Sequence, residues 1–136
     1  MLQADLLDDA PSATSETEDF GFAARGTPLA LELIGALEFQ GGTGAAETLR
    51  AIVLTQHRSV IVCTEKLRFA NFFGFRELMD GVAGLRQLGF DVRLSVSDPR
   101  LRAIVDDAGL APACASGLAL QHCERRRIYV GNRYNA

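Results

Sequence analysis

Residues Ser59–Leu110 read SVIVCTEKLRFANFFGFRELMDGVAGLRQLGFDVRLSVSDPRLRAIVDDAGL, and their hydrophobic pattern alternates between two periods. Ser59–Thr64 is an unbroken apolar, β-branched run of strand length, the composition of a strand covered on both faces. Asn71 then stands before Phe75, Leu78, Met79, Val82 and Leu85, spaced i, i+3, i+4, i+7, with Arg76, Asp80 and Gln87 between them. That spacing predicts an amphipathic helix, and Gly89 stops it. Phe90–Val96 returns to alternation, with Phe90, Val92, Leu94 and Val96 on one face. A second helix follows, marked by Asp98 as cap, Pro99 at its first position, Gly109 beyond its last turn, and a stripe of Leu101, Ile104, Val105 and Ala108.

Working upstream, Phe20–Ala24 and Leu29–Ile34 are short runs with apolar residues at alternate positions, joined through Arg25-Gly26-Thr27-Pro28. This pattern predicts an N-terminal hairpin. Gly35 is expected to end its second strand and Ala36–Gly42 to form a loop. Thr43 is the expected cap of a helix running to about Gln56, with Ala45, Leu49, Ile52 and Val53 inward. Downstream of Pro112, Ser116–Cys123 reads as a weak helix. Strands alternating with helices of this length imply an α/β fold: one domain over residues 20–123, with a mixed sheet, an N-terminal hairpin and alternating β-α units. Residues 124–136 form a basic C-terminal tail whose order the pattern leaves open.

The chain has 136 residues, the size of one domain. Its net charge of −3 is unevenly distributed: residues 1–24 hold six acids (Asp5, Asp8, Asp9, Glu16, Glu18, Asp19) and no base. Residues 1–19, acidic and rich in Ser and Thr, are expected to be a disordered leader. No apolar run approaches the length of a membrane span, and no signal peptide is recognisable, so a cytoplasmic protein without direct membrane insertion is expected. Cys63, Cys114 and Cys123 form no CxxC pair, and His57 and His122 are the two histidines. This composition gives neither a disulfide framework nor a zinc site. Oxidation of Cys114 with Cys123 is a remote regulatory option.

Catalytic groups are equally sparse. His57 reads as a solvent-facing turn residue, Cys63 as a small core residue, and Asp106-Asp107 as a solvated helix face. Gly41-Gly42-Thr43-Gly44 lacks the GK[ST] ending of a phosphate loop and the spacing of GxGxxG, and reads as a flexible lead into a helix. Arg125-Arg126-Arg127 is too thin a footprint for nucleic acid. No catalytic residue, metal ligand or cofactor is assigned.

The quoted segment, with LALELIGALEF upstream, resembles the STAS domain family, the bacterial anti-sigma factor antagonists. In that family an apolar strand leads to an Asp-Ser-Ser/Thr-Gly-Leu motif opening a helix, and a second strand and a helix ending in Gly-Leu follow. Gly35, Leu37 and Glu38 match the family's Gly-x-Leu-Asp. The resemblance covers about residues 20–118. It implies a non-enzymatic module whose partner is an anti-sigma factor of the kinase type, in transcription regulation, and it is compatible with a homodimer. The phosphoacceptor motif is degenerate: Asn71-Phe72-Phe73-Gly74-Phe75 stands in its place, Phe72 occupies the serine position, and no Ser, Thr or Tyr lies between Thr64 and Ser95.

The expected partner-binding residues are Glu38, Phe39, Gln40 and Gly41 in the loop and Asn71, Phe72, Phe73, Gly74 and Arg76 at the helix start. Here an exposed Phe72 or Phe73 would anchor a protein and Arg76 would add a rim charge. Two alternatives stand beside this reading: an accessory subunit of a membrane transport ATPase or permease complex, and a small-ligand or nucleotide-sensing domain.

Overall fold

The computed structural model describes residues 26–131, apart from Ser116 and the side chain of Leu118. The expected leader, the first arm of the expected hairpin and residues 132–136 lie outside the described residues. The elements are β1 (Leu29–Leu37), α1 (Gly41–Gln56), β2 (Val60–Cys63), β3 (Leu67–Ala70), α2 (Phe72–Gln87), β4 (Val92–Ser95), α3 (Pro99–Asp107) and β5 (Glu124–Val130). Single 3₁₀ turns occupy Ala111–Ala113 and Gly117–Leu120. The α/β reading holds, with strands and helices alternating except where β3 follows β2 directly.

β1 is the axis of the sheet. Leu29–Glu32 pair in parallel with Val60–Cys63 of β2 on one edge, and Leu29–Gly35 pair in parallel with Glu124–Val130 of β5 on the other. Because Gly35 is already paired with Val130, its second partner, Leu67, places β3 on the β2 side, further along β1. β4 extends the sheet beyond β2. Every strand pairing among the described residues is parallel. Such a sheet needs its central strands buried, and all four residues of β2 are buried as the apolar run requires.

The two faces of the sheet differ. On one, Leu29, Leu31 and Leu33 join Leu49 and Val53 of α1, Phe75, Leu78, Met79 and Val82 of α2, and Leu101 and Val105 of α3 in the main core. On the other, Ala30, Ile61 and Cys63 are covered by Ala115, Ala119, Leu120 and Cys123. The same face holds the buried Glu32 carboxylate, paired with Arg125 at 3.0 Å and Lys66 at 3.8 Å. Cys114 packs against the helix-side core and Cys123 against the opposite cluster.

Several local expectations are corrected. Gly35 does not end β1; it sits inside the strand at φ 113°, where the pairing register shifts, and the strand runs on to Leu37. The helix expected from Thr43 starts at Gly41, so the glycine run forms its first turn rather than a flexible lead. Thr43 does not cap it: the cap position is Gln40, without a side-chain hydrogen bond, and the Thr43 hydroxyl reaches Glu77 at 3.4 Å. Ile52 is half-buried, and the weak helix beyond Pro112 is reduced to one 3₁₀ turn. Within 124–136, where order was left open, Glu124–Val130 is a sheet strand. It is pinned at its start, where Glu124 N–H donates to the Pro28 carbonyl at 2.9 Å and Arg58 meets the Glu124 carboxylate at 2.9 Å.

Helices α1 and α2 pack through small residues. A methyl group on Gly42 would run into the Gly74 carbonyl, and one on Gly81 would lie 2.9 Å from the Ala46 methyl. Gly44, in the same helix as Gly42, faces open space. Alanine in a helix interior ordinarily gains about 0.5–1 kcal/mol over glycine. Urea unfolding should therefore separate the two sites by sign. Gly44→Ala should stabilise by about that amount, and Gly42→Ala should destabilise by about 2 kcal/mol or more because rigid backbone must move.

Cys63 supplies a second check. Burial, reinforced by the carboxylates of Glu65 and Glu32, pushes its thiol up to about 12. The folded protein thus holds this proton more tightly than the unfolded chain, whose cysteines titrate near pH 8.5. The resulting stabilisation is complete below about pH 8.5 and is lost as pH rises toward the folded value. Stability of the native chain should fall between about pH 9 and 11 more steeply than that of Cys63→Ala, as read by urea midpoints.

Candidate functional site

The start of α2 is built from Asn71. Its backbone is extended, at φ −70° and ψ 133°, and its side-chain Oδ1 accepts from the N–H groups of Phe73 at 2.9 Å and Gly74 at 3.0 Å. Two of the four unpaired donors at a helix start are thereby satisfied. The Asn71 N–H donates to the Leu37 carbonyl at 2.7 Å, fixing the helix start to the end of β1. Helical register then decides where the aromatics go. Phe75 shares a face with Leu78, Met79 and Val82 and is fully buried. Phe72 and Phe73 sit on the other side, 50% and 71% exposed.

The β1–α1 loop lies against this helix start. Gly74 has no side chain because the Glu38 carbonyl occupies the space a methyl would need. The Gly41 N–H closes the loop on the same carbonyl at 3.1 Å. Phe39 is thereby held over α2, its ring centroid 6.2 Å from that of Phe73 with the planes at 80°. Edge-to-face pairs of this kind are worth about 0.5–1.5 kcal/mol beyond their burial. Phe39 is 59% exposed even so.

The structure thus brings Glu38, Phe39, Gln40 and Gly41 beside Asn71, Phe72, Phe73 and Gly74, the two segments singled out from sequence. Arg76 stands one turn on, but its guanidinium is engaged: Nε contacts Asp80 at 3.2 Å and Nη1 contacts Asp107 at 2.8 Å, raising its pKa further. It ties α2 to α3.

Sequence reasoning missed the other wall. Phe69, on the short strand β3, is half exposed and borders a cleft of ≈ 710 Å³ shared with Phe72, Arg68, Ser97 and Arg100. The crowding of four phenylalanines between Phe69 and Phe75 is the available signal, but the sequence pattern assigns no element to residues 65–70. At the cleft's far side Asp98 caps α3, accepting from the Arg100 N–H at 2.9 Å, and the Arg100 guanidinium beside it holds its carboxyl below the usual range. His57 and His122 are exposed and lie elsewhere, His57 at the left-handed C-cap of α1. Among the described residues no group of three His, Cys, Asp or Glu side chains is placed to hold a metal, and no helix is long and apolar enough to cross a membrane.

No family model matches the chain, and no curated protein matches it. Among solved structures it is similar to the STAS domain of a SulP transporter from Vibrio cholerae. That likeness has 18% identity and a TM-score of 0.47, covering 80% of this chain and 81% of that one.

Asn71→Ala removes the side-chain acceptor that caps the α2 start while leaving the backbone contact to Leu37. The loss should be about 1 kcal/mol in denaturant unfolding, within the range of about 0.5–2 kcal/mol for such caps. Asn71→Asp, which keeps the acceptor and places a negative charge at the helix N-terminus, should cost nothing or gain slightly.

Proposed function

We propose that the chain is a non-enzymatic protein–protein interaction module of the STAS type, acting in the cytoplasm on an anti-sigma factor of the kinase type. The observation that carries this reading is the preorganised aromatic surface: Phe39, Phe72 and Phe73 are each half or more exposed on segments locked by backbone contacts. Large rings held in place before binding lose little freedom on association, which is the character of interface anchors. A soluble domain gains nothing from leaving three such rings together in water.

Switching by phosphate at the helix start is closed to this chain. Phe72 occupies the first helical position, and no hydroxyl side chain lies between Thr64 and Ser95. Binding at this face is therefore constitutive with respect to that modification, and recognition is apolar where a serine-bearing helix start would be polar.

Calorimetric titration of a purified anti-sigma kinase from the same cell tests this. Phe73→Ala should weaken binding by about 2 kcal/mol, roughly thirtyfold, with Phe39→Ala close behind because it loses the same ring contact. Incubation with the kinase and ATP should leave the native chain unlabelled between residues 65 and 94, whereas Asn71→Asp/Phe72→Ser should take up phosphate. Unchanged affinity in both phenylalanine variants would overturn the assignment of the surface.

A further inference from the structure

Strand β5 carries ERRRIYV along one margin of the sheet. Its inner edge pairs with β1 through seven successive residues, and among the described residues its outer edge pairs with nothing. Glu124–Arg127 and Tyr129 are exposed, Tyr129 at 71%. A seven-residue open edge is long enough to template an added strand, and such edges are normally occupied or blocked.

The charge around it is lopsided. Glu32 is shared by Arg125 and Lys66, and Glu124 is shared by Arg58 and Arg126, which hold its carboxyl below the usual range. Arg127 makes no ion pair among the described residues. Five cations thus face two carboxylates, leaving three positive charges unmatched. A second copy of the chain would bring the same arginine run to this edge and set like charges together. The occupant that fits is an extended, acidic segment.

The chain contains one. Residues 1–24 hold six acids and no base. They also lead directly into the place where β5 begins, because Pro28 accepts the Glu124 N–H and Thr27 accepts two bonds from Arg58, at 2.8 and 2.6 Å. The outer flank of β5 lies two strand spacings from β1, about 10 Å. Gly26, the first described residue, lies two positions before Pro28, whose carbonyl holds the start of β5, so the segment that precedes it arrives beside this edge. Both edges of β1 are already taken between Leu29 and Glu32, so the edge of β5 is the nearest one open to a segment arriving there.

We propose that the outer edge of β5 is the docking site of the chain's own acidic N-terminal segment, residues 1–24, held by the arginines of the strand. Electrostatics sets the affinity of this contact, so it is sensitive to salt.

Amide hydrogen exchange on the full-length chain at about 20 mM salt tests this with a charge swap. The comparison includes the native chain, Glu16→Lys/Glu18→Lys/Asp19→Lys, Arg126→Glu/Arg127→Glu, and the two sets combined. Each single set should speed exchange of β5 amides by roughly five- to tenfold, and the combination should restore protection. The β2 amides, buried in all four proteins, report the integrity of the fold. Raising salt to about 0.5 M should erase most of the difference. Equal β5 exchange in the native chain and the leader variant would overturn the proposal, as would failure of the combined variant to recover. Protection that rises with protein concentration would place a second copy on the edge and overturn it equally.

Discussion

Backbone meets backbone where Gly42 faces Gly74, and the Glu38 carbonyl fills the space beside the latter. Neither position can hold even a methyl group, so the first turn of α1, the β1–α1 loop and the first turn of α2 form one rigid corner. Further along the same interface Gly81 lies against Ala46, keeping the two helices close for the length of their contact. The consequence reaches the sheet. With α1 and α2 this near each other, Leu49, Val53, Leu78 and Val82 can all reach the leucines of β1. It also reaches the surface, since the loop that carries Phe39 rests directly on the residue after Phe73. Packing energy and the exposed aromatic pair thus depend on the same absent side chains.

How much of this was legible in the sequence depends on the range of the interaction. The α2 and α3 boundaries follow from local chemistry, and both are where the patterns put them: Asn71 and Asp98 accept backbone hydrogen bonds within three residues, and Pro99 needs no donor. The buried stripe of α2 is set by its 3.6-residue period alone. Features decided by distant partners were misread. Gly35 resembles a strand terminator in isolation, yet β1 continues because β5 and β3 supply hydrogen bonds on either side. The glycines at 41–44 look like a flexible lead, but α2 packs against Gly42 and makes them helical. β5 was the least legible element, since three consecutive arginines erase the alternation that marks a strand. Its apolar half, Ile128 and Val130, packs on the helix-side core, while Arg125 crosses to Glu32 on the opposite face.

The candidate surface divides in the same way. That Phe72 and Phe73 face water while Phe75 is buried follows from periodicity once Leu78 and Met79 are placed. The edge contact between Phe39 and Phe73 joins residues 34 apart, and no local pattern encodes it. Arg76 illustrates the converse. As a lone exposed arginine near aromatics it reads as a rim charge, but Asp80 one turn on and Asp107 on α3 already hold its guanidinium.

The apolar character of the α2 start has a physical cost and a physical return. A helix N-terminus concentrates unpaired N–H groups and positive potential, and it suits an anion or hydroxyl. Here Asn71 satisfies two of those donors internally and leaves the phenylalanines to define the surface. The exposed surface there is apolar, and under the proposed reading its recognition would scale with buried apolar area and shape. A face of this kind offers no lever for phosphate. Charge is concentrated elsewhere: the described residues gather unmatched arginines at the β5 margin, beside Pro28, whose carbonyl holds the start of that strand. The exposed aromatic rings at the α2 start and the unmatched charge at the β5 margin are thus carried by different elements, joined through β1 and the helix-side core.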